Sequence, residues 1–165
     1  MRPPKYFPRF YILVGDRENW ETSLEKNIWG FVERSKGLWK KSEINEFLAF
    51  YVTKPTKKFI GFGQITEKYI DEELVWPMEK FGSKSIWKYK INFKPFYVVE
   101  DIDDGITLKK NLMLISSRTV VSEEIFFELV KEAEQKWNVS LLKELKQELK
   151  NVNKVKKTRG AIKQK

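Results

Sequence analysis

Residues 58–66 read KFIGFGQIT, a β-branched and aromatic run into which Gly61 and Gly63 are set two positions apart. Alternate side chains of a strand point to opposite faces, so both glycines bare the same face. That face admits a close approach by another backbone, or a bend of the kind that closes a barrel. Other stretches read as strands around it. RFYILVG (9–15) is a buried strand ended by glycine, and Glu46–Thr53 is a strand closed by Pro55. IWKYKINFKPFYVVE (86–100) is a long strand in which Pro95 marks a bulge or bend.

Helical patterns are fewer. DRENWETSLEKN follows the first strand as a short amphipathic helix, with Trp20, Ser23 and Leu24 on one face; IWGFVER then returns to extended structure. A turn around Gly37 and a polar stretch lead to the strand at 46, and the long connection 67–85 separates two later strands. A short segment is expected at 106–116. Ser122 is the N-cap of a helix with Ile125, Leu129 and Ala133 on its apolar face. A second helix starts at Ser140 with Leu142, Leu145, Leu149 and Val152 at heptad spacing; two heptads are too few for a coiled coil, so it packs on the domain. Strands mixed with few helices predict a small, strongly curved α+β sheet or barrel. The expected divisions are a domain over 1–137 with an irregular lead-in, a C-terminal helix over 138–152 and a disordered basic tail over 153–165.

Chemistry is bounded by what is missing. With no Cys and no His in 165 residues, thiolate nucleophiles, imidazole bases, disulfides and the usual zinc ligands are all excluded. No Walker loop or dinucleotide fingerprint occurs, and DIDD (101–104) has turn chemistry rather than calcium-loop spacing. The chain is therefore read as a non-enzyme without metal or cofactor. No apolar run reaches membrane-spanning length and MRPPKYFPRF is not a signal peptide, so the expected location is cytoplasmic, with no membrane partner. The Lys/Glu/Ile-rich composition is of a thermophilic kind.

The charge is uneven. Net charge is +9, but the last sixteen residues hold seven Lys/Arg and no acid, which leaves the preceding 149 residues at +2. Such a tail attracts nucleic acid without sequence preference, or simply solvates the chain. Aromatic residues make up 15% of the sequence, more than one small core commonly needs. Trp29, Trp39, Trp76, Phe81 and Trp87 flank turns or loops, and Arg34, Lys36, Lys40, Lys41, Lys80, Lys84 and Lys88 stand near them. Aromatics interleaved with cations suit base stacking with phosphate neutralisation, and Arg34, Lys36, Lys40, Lys41 and Lys84 are the candidate phosphate contacts. Taken singly, each lysine reads as a plain surface charge.

YILVGDRENWETSLEKNIWGFVERSKG, EFLAFYVT, FIGFGQIT, LVWP and IWKYKINFKPFY, in that order over residues 9–137, resemble the EVE domain of the PUA-like superfamily, akin to YTH readers of N6-methyladenine. The resemblance implies a curved β-barrel flanked by helices, with an aromatic cage for a modified nucleobase. It places the cage tryptophan at Trp29, the polar group for the base edge at Asn19, and a main-chain acceptor for the exocyclic amine at Gly30. The second wall falls on Trp76 and a third on Phe81. Gly15 is a departure, because YTH readers carry a base-contacting side chain there; Phe81 is another, where some relatives have Trp. Methylated adenine and modified cytosine both remain open, as do DNA and RNA. The resemblance also allows a nuclease or motor partner, and the oligomeric state is unknown.

Competing readings stand beside these. Trp29 also suits a core anchor, Asn19 a helix-start residue and Trp76 a loop tether, while Trp20 and Trp87 are assigned to the core. An open cage wall would spare stability when truncated. The alternative functions are a modification-independent RNA-binding module and a protein-interaction adaptor using the Leu142/Leu145/Leu149 face.

Overall fold

The structure, a computed structural model, describes the backbone of residues 8–107 and 118–163, with side chains over 8–107 and 120–152. Most of the irregular lead-in lies outside the described residues. So does all but Ile106 and Thr107 of the segment expected at 106–116.

Among the described residues, six strands form one mixed sheet: β1 (Phe10–Gly15), β2 (Ile28–Phe31), β3 (Phe47–Val52), β4 (Lys58–Ile70), β5 (Tyr89–Val98) and β6 (Arg118–Val121), in the order β2-β5-β4-β3-β1-β6. Among these strands β1 and β3 run parallel, and their other pairings are antiparallel. Helices α1 (Arg17–Lys26), α2 (Lys36–Lys41), α3 (Pro77–Gly82), α4 (Glu123–Trp137) and α5 (Leu142–Lys163) complete an α+β fold, with single 3-10 turns at Glu33–Ser35 and Ile102–Asp104.

Strand alternation builds two cores from one sheet. Tyr11 and Leu13 of β1, with Leu48, Phe50 and Val52 of β3, join Trp20, Trp29, Phe31 and Ile91 on one face. Phe10, Ile12 and Val14, with Phe47 and Ala49, pack under α4 and α5 on the other. Both faces are covered, which is why β1 reads as an unbroken apolar run.

The paired glycines do what their spacing allows. A Cβ on Gly61 would lie 2.5 Å from the Tyr97 carbonyl oxygen, and one on Gly63 would lie 2.8 Å from Phe50 Cζ and 3.0 Å from the Lys94 oxygen. Opposite them the β4–β5 register slips, Phe62 facing Tyr97 while Gly63 faces Pro95. The extra residue beside Pro95 is a bulge, which bends the strand and adds twist.

Local expectations fail at three places. Gly37 lies inside α2 rather than in a turn; burial of Leu38 and an indole bond from Trp39 Nε1 to the Lys90 oxygen (2.9 Å) offset the poor helix propensity of glycine. The strand at 58–66 continues to Ile70, because the long β5 offers partners as far as Tyr89, and this shortens the connection. The backbone of α5 runs to Lys163 through the stretch expected as a disordered tail, where Lys and Arg favour helix and no proline intervenes.

Helix α4 starts as expected, Ser122 Oγ accepting from the Ile125 amide at 3.2 Å. In α5, Leu145 is fully buried and Val152 nearly so, with Leu142 and Leu149 packed beside them. That apolar face is consumed inside the molecule, so the adaptor reading loses its surface. Among the described residues no helix is long and apolar enough to cross a membrane.

Candidate functional site

The site begins at the seam between α1 and β2. Asp16 caps α1, its Oδ1 accepting from the Asn19 amide at 2.7 Å, which sets Asn19 one turn into the helix. Asn27 ends the helix in the left-handed region (φ 57°), and the chain turns directly into β2. Strand β2 is an edge of the sheet. Phe93 N donates to the Asn27 oxygen at 3.0 Å, and Ile28, Trp29, Gly30 and Phe31 face Asn92, Ile91, Lys90 and Tyr89. Hydrogen-bonded and non-bonded pairs alternate in an antiparallel ladder, so Trp29 bonds back to β5. The N–H and C=O of Gly30 therefore point off the open edge.

Val14, Gly15, Asn19, Trp29, Gly30, Trp76 and Trp87 enclose a pocket of about 170 Å³ there. Both glycines are sterically required. A Cβ on Gly15 would meet Trp29 Cη2 at 2.5 Å. On Gly30 it would meet Trp87 Cβ at 2.4 Å and Trp76 Cη2 at 2.7 Å. The departure at Gly15 thus makes room for the Trp29 ring. Trp20 stacks on Trp29 with ring centroids 4.3 Å apart, fixing the wall from behind. Trp29 Nε1 is a buried donor with no acceptor among the described residues, a state that costs about 1–3 kcal/mol until a ligand or water fills it. The side-chain amide of half-buried Asn19 makes no hydrogen bond to another described residue.

The opposite wall is held by polar contacts. Trp76 is 2% exposed and its Nε1 donates to Ser23 Oγ at 2.8 Å. Its ring meets that of Trp87 edge-on, with centroids 5.5 Å apart. Glu79, fully buried at the third position of α3, reaches back to this loop. Its Oε1 accepts from the amides of Val75 (3.0 Å) and Trp76 (3.3 Å), and its Oε2 from those of Ile86 (2.8 Å) and Trp87 (3.0 Å). Burial alone would raise the Glu79 pKa, but the four N–H groups outweigh it and hold the carboxyl below its ordinary value.

Asn19, Trp29, Gly30 and Trp76 are thus brought together, and Phe81 is not: it is 95% exposed on α3 and does not line the pocket. Trp87 takes the place at the wall that sequence reasoning gave to Phe81. It was assigned to a strand core, but the ladder starts only at Tyr89 and leaves Trp87 in the loop, half-buried. Arg34, Lys36, Lys40 and Lys41 lie on the 3-10 turn and α2 that continue from β2, and Lys84 lies just past α3. None lines the pocket; Lys36 Nζ sits over the Tyr89 ring at 5.6 Å. A larger surface depression of about 540 Å³ near the α4–α5 turn is lined by Lys131, Glu134, Gln135, Asn138, Val139 and Ser140, and lacks an aromatic wall. Among the described residues no cluster of acids could hold a metal.

No protein-family profile matches the chain. A UPF0310 protein of Pyrococcus horikoshii is 25% identical over 100 residues, covering 55% of this chain and 68% of that one. A UPF0310 protein of Pyrococcus abyssi is 23% identical over 99 residues, with the same coverage. Among solved structures, the YTH domain of Zygosaccharomyces rouxii MRB1 protein, in complex with N6-methyladenosine RNA, aligns over 80% of this chain and 92% of that one (TM-score 0.54, 16% identity). The Mmi1 YTH domain, in complex with RNA, covers 79% and 82% (0.51, 17%). A ZmASCH mutant protein from Zymomonas mobilis covers 74% and 95% (0.55, 12%). At these identities the likeness is one of fold, and the chain shares a YTH-like fold.

Proposed function

We propose that the pocket between β2 and the α3 loop is a cage for a modified nucleobase, and that the chain is a non-catalytic nucleic-acid reader of the PUA-like, EVE type. One observation carries this reading: Asn19, Trp29, Gly30 and Trp76, from two distant segments, line a single pocket. The YTH domains of like fold were solved with RNA, one of them with N6-methyladenosine RNA, and this supports the same class of ligand here.

The energetics favour such a site. Trp29 and Trp76, with Trp87 beside Trp76, supply aromatic surface, and stacking on an aromatic side chain is worth roughly 1–3 kcal/mol per base. Taking a base out of a duplex costs a few kcal/mol, so two walls roughly offset extraction and a single strand binds without that cost. A methyl group adds less than about 1 kcal/mol by burial. Discrimination beyond that comes from polar groups: the Gly30 carbonyl for an exocyclic amine, the Asn19 amide for the ring edge, and the free N–H of Trp29 for an acceptor. Arg34, Lys36, Lys40, Lys41 and Lys84 are proposed to meet phosphates outside the pocket. Phe81, exposed beside Lys80 and Lys84, closes over the base only if α3 or its loop moves.

The test is a panel of single-stranded DNA and RNA oligonucleotides differing at one base: adenine, N6-methyladenine, cytosine or a modified cytosine. Preference of about tenfold or more for one modification over its plain parent supports the cage. Equal affinity across the panel with steep salt dependence contradicts it, and favours a modification-independent RNA-binding module.

A further inference from the structure

The wall formed by Trp76 and Trp87 comes from the two ends of one loop, eleven residues apart in sequence, and nothing in a regular ladder joins those ends. Neither Val75 and Trp76 nor Ile86 and Trp87 belong to a strand or helix. Their four amides all converge on Glu79. An ionised carboxylate accepts at about four lone-pair sites and donates nothing. Here every site is taken by a main-chain N–H, and among the described residues no lysine or arginine pairs with the group.

We propose that Glu79 is the positioning residue of the pocket: its carboxylate clamps both ends of the loop and so fixes the separation of Trp76 and Trp87 against Gly30. The inference rests on the reading of the pocket as a base site only for its effect on binding; the clamp itself is a property of the free protein. Helix α3 serves as the lever. It is only six residues long, and Pro77 at its first turn sets the backbone so that the third-position acid turns back on the residue before it. Glu79 bonds to that residue, Trp76, as a helix-capping acid commonly does, and its second oxygen is spent on Ile86 and Trp87. On the far side, Gly30 leaves no Cβ to push the walls away. The wall is therefore set from two sides, by a charge beneath it and by an absent side chain in front of it.

Glu79→Gln separates this role from plain filling of space. Glutamine has nearly the same shape, but one oxygen becomes an NH₂ that faces two N–H donors, so half the clamp is lost. The full chain, labelled with ¹⁵N, is compared with the variant through its indole N–H resonances. Those of Trp76 and Trp87 should move, while those of Trp39 and Trp137, bonded to the Lys90 and Asp104 oxygens, should stay. Affinity for the oligonucleotide that the wild-type chain prefers should fall by about tenfold. Unmoved Trp76 and Trp87 resonances overturn the proposal, and so does unchanged affinity. If the wild-type chain prefers no modified base, the reader function fails while the resonances still decide the clamp. Should Glu79→Gln not fold, hydrogen exchange on the wild-type chain decides it. The amides of Val75, Trp76, Ile86 and Trp87 lie outside every ladder and should still exchange slowly; fast exchange overturns the clamp.

Discussion

Gly30 is the residue at which three constraints meet. Its main chain points off the sheet edge, its Cα faces two indoles, and it follows Trp29 directly. Gly30→Ala should leave the fold cooperative but displace Trp87 and Trp76, because the nearest atom to the new methyl is the Trp87 Cβ rather than a movable side-chain end. Loss of oligonucleotide discrimination with a melting temperature only a few degrees lower is the expected result; wild-type discrimination would mean that the main chain at 30 does not meet the base. Asn19→Ala should cost on the order of 1–2 kcal/mol of affinity with little change in melting, since its side-chain amide has no described partner to lose and its main-chain N–H still donates to Asp16. A sharp fall in melting with unchanged affinity per folded molecule would make Asn19 structural. The tryptophans behave differently from the sequence expectation. Trp29 and Trp76 are 5% and 2% exposed and are core members as well as pocket walls, so truncation to alanine should cost about 3–5 kcal/mol of stability. At Trp29, burial in the core and lining of the pocket are not alternatives.

Elements explain what was legible. The segment from Asp16 to Gly30 carries cap, helix, left-handed turn and edge strand in fifteen residues, and the resemblance to YTH readers singled out Asn19, Trp29 and Gly30 there, three residues that line one pocket. The 71–88 connection resisted such reading. Its geometry is set by Glu79 and by Lys90, whose buried Nζ donates to Asp71 Oδ1 (3.0 Å) and to the Asp71 and Glu73 oxygens. Those bonds span up to nineteen residues and leave no periodic mark, which is why Trp87 was assigned to a strand core, while the resemblance put Phe81 at the wall. Glu79 also gives the element a pH signature. Its folded pKa is depressed, so its stabilising contribution is present above the unfolded carboxyl value near 4.5 and is lost as pH falls through the lower folded value. Thermal melts of wild type and Glu79→Gln should therefore be well separated above the ordinary carboxyl value and draw together as pH falls below it; a constant gap at every pH would mean that the carboxylate charge contributes nothing. For α5, Leu145→Glu should abolish the folded state rather than split a dimer, because Leu145 is fully buried among Phe126, Leu129 and their neighbours. A folded, monomeric variant seen by circular dichroism and sedimentation would restore the adaptor reading.

At the scale of the whole chain, the pocket and the excess charge belong to different segments. The sheet buries both faces, the pocket sits at its β2 edge, and the excess charge lies at the far C-terminus. Because Val152 is buried, truncation belongs after it: deleting 153–165 removes six Lys/Arg without touching the described core. At single-strand stoichiometry six cations account for a log–log salt slope of up to about 4. The truncated chain should show a flatter salt dependence and an unchanged preference among bases; an unchanged slope would make the tail a bystander. The unbroken apolar run of β1 foretold a buried strand, and the glycine pair allowed the close approach and the bend that lie there. The reach of β4 to Ile70 was not foretold, since Glu67, Lys68 and Tyr69 are held by pairing rather than by burial. The central claim, that the β2-edge pocket itself holds a modified base, is tested most directly with free nucleosides, which lack phosphates for the tail to attract. Modified and plain adenosine and cytidine are titrated into the ¹⁵N-labelled chain while its indole N–H resonances are followed. Saturable shifts at Trp29, Trp76 and Trp87, with Trp137 still and the plain parent weaker, are the predicted result; no shift at those three with any nucleoside, or shifts confined elsewhere, would contradict it.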